Sequence, residues 1–156
     1  MRVAGIALII LSSMLIGRAL ALALDASVLS ARAVAELVGY AKDMVESFSM
    51  SGDEILRTCK PELLFSCGYK CEHAPKSFGE LASNCEIGDG ESTRIFNEFC
   101  RDFGKSYREE QMRNCKRYYS LLDSRATELC GEVRAKKKIV YASAFSCGAM
   151  LAILLI

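Results

Sequence analysis

One histidine, two prolines and no recognisable catalytic signature leave an enzyme little to work with. Neither a G-x-S-x-G nucleophile elbow nor a phosphate-binding loop is present. A Cys–His pair would depend on His73 alone, two residues beyond Cys71. That histidine reads as a solvated group near a helix end, where the dipole favours it. Zinc sites take several ligands. Cys59, Cys67, Cys71 and His73 can be written as such a set, but cysteines in a short secreted region read better as disulfides. The sequence therefore reads as not an enzyme, with no metal and no cofactor. Proline is scarce and strand-like runs are few, so the core reads as helices. No N-x-S/T sequon occurs, so N-glycosylation is not expected.

What the chain does have is two apolar ends. Residues 3–16 are almost wholly apolar, follow Arg2 and lead through Arg18 to the run Ala19-Leu20-Ala21-Leu22-Ala23. A basic start, an apolar stretch and an A-x-A site describe a signal peptide, residues 1–23, cut after Ala23. An uncleaved span would place Arg18 in the bilayer at about 2.5–3.5 kcal/mol for a central charge. At the other end, residues 139–156 carry no charge and would measure roughly 27 Å as a helix. Arg134, Lys136, Lys137 and Lys138 precede this tail. A polar spacer running into an apolar tail is the arrangement of a GPI-attachment signal. Ser124, with Ala126 two residues on, is the attachment candidate; a retained transmembrane helix is the alternative.

Without residues 1–23 and 139–156 the remaining 115 residues carry a net charge of −1, so no nucleic-acid partner is implied. The charge is uneven: −6 over residues 24–103 and +5 over residues 104–138. Cysteines fall at Cys59, Cys67, Cys71, Cys85, Cys100, Cys115 and Cys130, with Cys147 in the tail. The first six are expected to pair, Cys67 and Cys71 bonding outside their own helix as a double staple. Processing at Ser124 would discard Cys130 and make the count even.

The core reads as helices. Val34, Leu37, Ala41, Met44 and Phe48 mark one apolar face over residues 26–48. Ser51 with Glu54, and Ser106 with Glu109, have capping-box spacing. Pro61 suits the first turn of a helix running towards His73, residues 74–90 read as a loop, and residues 91–103 return to helix. Met112, Cys115, Tyr119, Leu122, Ala126, Leu129 and Val133 then follow a heptad, which a bundle explains more simply than a coiled-coil dimer. Tyr118 lies off this seam and is expected to be exposed.

The composite expectation is an all-α, disulfide-stapled bundle of about four helices, residues 24–138, between a signal peptide and an apolar tail. Its function would be that of a membrane-anchored binding module at the outer cell surface: a receptor, co-receptor or adhesion type. Its partners would be membrane lipid and an extracellular protein or ligand. Two alternatives stand beside it. One is a helical carrier of an apolar ligand. The other is a two-pass membrane protein with a cytosolic middle domain and reduced thiols.

Overall fold

A computed structural model describes the backbone of residues 2–71 and 73–154, and the side chains of residues 11–71 and 73–151. Among the described residues all regular structure is helical: α1 (Arg2–Phe48), α2 (Gly52–Thr58), α3 (Pro61–Ser66), α4 (Phe78–Asn84), α5 (Gly90–Asp102) and α6 (Arg108–Leu154). The chain divides into two compact units. One comprises residues 1–26 with 130–156; the other is residues 27–129. Helices α1 and α6 contribute residues to both.

Local chemistry starts each short helix. The Glu54 carboxylate accepts from the Ser51 N–H (2.8 Å) and hydroxyl (2.9 Å) at the head of α2. Pro61 opens α3. Ser77 caps α4 by accepting from the Glu80 N–H at 3.2 Å, and Asp89 caps α5 by accepting from the Ser92 N–H at 2.9 Å. Three expectations are corrected here. Helix α3 stops at Ser66, because Gly68 takes a left-handed φ of 86°. A side chain there would also begin 2.2 Å from the Glu86 carbonyl oxygen. Second, the stretch read as a loop contains α4. Third, α6 begins at Arg108 rather than with a box from Ser106.

In residues 27–129 one face of α1 packs on α5 and α6. Val34, Leu37, Val38 and Ala41 are fully buried with Phe96, Cys115 and Leu122. Phe99 sits among rings, edge-on to Phe78 (5.5 Å), Phe103 (5.3 Å) and Tyr118 (5.8 Å). Tyr118 is thus buried, not exposed: its ring covers Phe99 and its hydroxyl donates to Asp102 at 2.7 Å. Phe48, expected on the core face, is 66% exposed. The heptad residues Cys115 and Leu122 pack into this bundle, the simpler of the two readings of the seam.

The expected staples are not formed, and this corrects the stapled part of the fold. Cys59, Cys67, Cys71, Cys85, Cys100 and Cys115, the six expected to pair, are free thiols. Cys59, Cys67, Cys100 and Cys115 are buried in the core, where thiols pack as small apolar groups.

Candidate functional site

The most distinctive local construction lies in the unit made of residues 1–26 and 130–156. Two helix segments run antiparallel there, since Ser13 meets Ala144 and Asp25 meets Lys137. The Ser13 hydroxyl donates to the Ala144 carbonyl. At Gly17 an added Cβ would lie 2.9 Å from the Ala144 Cβ and 4.0 Å from the Tyr141 ring. Small residues at 13, 17 and 21 recur every four positions, the small-xxx-small spacing that lets helix backbones approach in lipid. Ala21 is 2% exposed and Gly148 is buried. The opposite faces are apolar and open: Leu11, Met14, Leu15, Ile16 and Leu20 on α1, and Phe145, Met150 and Leu151 on α6. An apolar outside around a small-residue seam suits a hydrocarbon surrounding.

Length agrees with this. Residues 11–48 of α1 form a helix long and apolar enough to cross a membrane by length and composition, with mean hydropathy 1.6 in its best window. Polar groups gather towards the end of this unit nearest residue 26. Lys137 pairs with Asp25 and Lys136 with Glu132 at 3.4 Å, while Arg134 and Lys138 are exposed; Arg18 is exposed further along the seam, beside Gly17.

The unit of residues 27–129 holds the six cysteines that were expected to pair, Cys59 to Cys115. Tyr69 and Cys85 form an isolated antiparallel bridge. The Glu86 N–H donates to the Gly68 carbonyl at 3.0 Å, which brings the segment around Cys67 and Cys71 beside Cys85. Burial dominates their chemistry: it pushes the Cys85 thiol up to about 12 and the Cys115 thiol to about 11, and raises Cys59, Cys67 and Cys100 as well. These groups stay protonated at neutral pH and are poor nucleophiles and poor metal ligands. His73 is exposed and lies 3.0 Å from the Glu80 carboxylate. Among the described residues no cluster of three or more His, Cys, Asp or Glu side chains could hold a metal. Ser124 is exposed on the unbroken helix α6, and Cys130 is half-buried.

Two further features of this unit escaped the sequence. Arg125 forks onto Asp89, Nε to Oδ2 at 3.0 Å and a terminal nitrogen to Oδ1 at 2.9 Å, fastening α6 to the head of α5. The Arg125 guanidinium, with the Ser92 bonds, holds the Asp89 carboxyl well below the usual carboxylate range despite partial burial. A groove of about 560 Å³ lies between α1 and α6, with Gly39 and Ala126 among its lining and Arg32, Glu36, Asp43 and Asp123 of mixed sign around it.

One protein family, stage III sporulation protein AB, matches residues 2–156. No curated protein and no solved structure matches. The match overturns the reading as a cell-surface receptor, co-receptor or adhesion module held by a GPI anchor, because the whole chain follows a sporulation protein's pattern. The tail that suggested lipid processing also has a structural partner, the seam at Ser13 and Gly17. With that pattern running from one apolar end to the other, the chain belongs to the stage III sporulation protein AB family.

Proposed function

We propose that this chain is a membrane-held component of the SpoIIIA membrane channel complex during sporulation. Its two apolar ends would insert together as a helical hairpin, with residues 27–129 outside the lipid. The observation behind this reading is the close seam of Gly17 on Ala144, which gives each apolar end a partner. It is a non-enzymatic, scaffolding role. The protonated, buried thiols of the helical unit fit such a role.

The charge pattern favours the cytosolic side for residues 27–129. Arg134, Lys136, Lys137 and Lys138 lie between that unit and the uncharged stretch 139–151, and such cations stay on the cytosolic side of a span. Free thiols agree with a reducing compartment. The outer face of the membrane, which a cleaved signal peptide would imply, places these cations on the wrong side.

Right-side-out and inside-out membrane vesicles from cells making the full chain test the reading. Trypsin should digest residues 27–129 in inside-out vesicles and spare them in right-side-out ones. Digestion in right-side-out vesicles, or release of the chain by alkaline carbonate, would contradict it.

A further inference from the structure

We infer that Arg134, Lys138, Tyr141 and Phe145 form a binding stripe for the phosphodiester headgroup of an anionic phospholipid. The inference rests on the hairpin reading and assigns that hairpin a lipid preference. The four residues stand at steps of four, three and four along α6, so they share one helix face. All four are exposed, Tyr141 by 47% and Phe145 by 61%. Their order along the helix is cation, cation, tyrosine, phenylalanine. That is the order a lipid presents from headgroup to acyl chain, with amphipathic tyrosine at the interface.

The neighbouring cations leave this stripe as the one with charge to offer. Lys137 is taken up by Asp25 and Lys136 by Glu132. Arg134 and Lys138 form no ion pair among the described residues. Long basic side chains extend towards headgroups while their stems stay in apolar surroundings. Two cations one helical turn apart, above an interfacial ring, match a headgroup of net negative charge better than a choline headgroup, whose phosphodiester charge is balanced by its own quaternary ammonium and which would set that cation against Arg134 and Lys138. Near an anionic surface each such cation contributes about fivefold in association.

The test uses the full chain in nanodiscs of phosphatidylcholine with phosphatidylglycerol, released gently and weighed with its bound lipid by native mass spectrometry. The wild-type chain should retain phosphatidylglycerol in preference to phosphatidylcholine. The R134Q/K138Q variant should lose that preference by about tenfold or more, while a K70Q/K76Q variant, with the same charge change in the other unit, should keep it. Excess soluble glycerol phosphate should not displace the lipid. Equal phosphatidylglycerol retention by R134Q/K138Q, no headgroup preference in the wild type, or displacement by glycerol phosphate would each overturn the inference. Carbonate extraction of both proteins separates the two levels: resistance in both keeps the hairpin whatever the lipid result, whereas release of the wild type overturns the hairpin and the stripe together.

Discussion

Gly17 and Ala144 approach so closely that a single methyl group on Gly17 would start 2.9 Å from the Ala144 side chain. No rotamer change relieves a contact between two Cβ atoms, so the helices would have to move apart. Gly17→Val should therefore weaken the unit of residues 1–26 and 130–156 by about 1–3 kcal/mol, the usual cost of overpacking. Thermal melts in detergent should show the loss, and Ala19→Val, at an exposed position on the same helix, should melt like wild type.

The fork between Arg125 and Asp89 predicts an acid limb in stability. The native Asp89 carboxyl titrates below its unfolded value, so its contribution is full above the ordinary carboxylate range near pH 4. It should fade as pH falls from there towards the depressed native value. Arg125→Ala leaves a partly buried carboxylate with only its Ser92 bonds and should cost about 1.5–3 kcal/mol at pH 7. Urea titrations between pH 7 and pH 3 should show a shallower acid slope in that variant than in wild type; parallel slopes would mean the fork does not set Asp89.

Free buried thiols make a direct prediction about reductant. With no cross-link to break, melting curves with and without reducing agent should coincide. Cys67 and Cys100 should react with a thiol reagent only after unfolding, because burial holds them protonated and inaccessible. A reductant-dependent melt would contradict the reduced state of this unit.

Phe99 should matter most to the core of residues 27–129. It is 1% exposed and has four other rings around it, so Phe99→Ala should cost about 3–5 kcal/mol. Tyr107, at 92% exposure, should tolerate alanine within about 0.5 kcal/mol. Chemical denaturation of the two variants gives the comparison.

Much of the helical unit was legible because its signals are local. The apolar spacing of Ile95, Phe96 and Phe99 marks α5, and Ser51 with Glu54 marks the start of α2. Helix α4 was missed although Ser77 and Glu80 have the same spacing; the surrounding glycines and turn formers outweighed a helix of seven residues. Tyr118 was misjudged because a heptad counts one packing seam, while α6 in this bundle also presents its flank to Phe99. The cysteines misled for a different reason. Spacing says which thiols fall near each other, not whether the compartment oxidises them. The partnership of the two ends was beyond reach of the sequence alone, since Gly17 and Ala144 are ordinary small residues until the fold brings them together.

That partnership can be measured directly with Gly17→Cys and Ala144→Cys combined in a Cys147→Ser background. Membranes from cells making this variant are oxidised with copper phenanthroline, and the protein is weighed intact and as peptides. The account predicts a chain that retains residues 3–16 and 139–156 and carries a disulfide between positions 17 and 144 in the membrane fraction. A chain cut after Ala23 or at Ser124, or an intact chain in which positions 17 and 144 do not join, would contradict it.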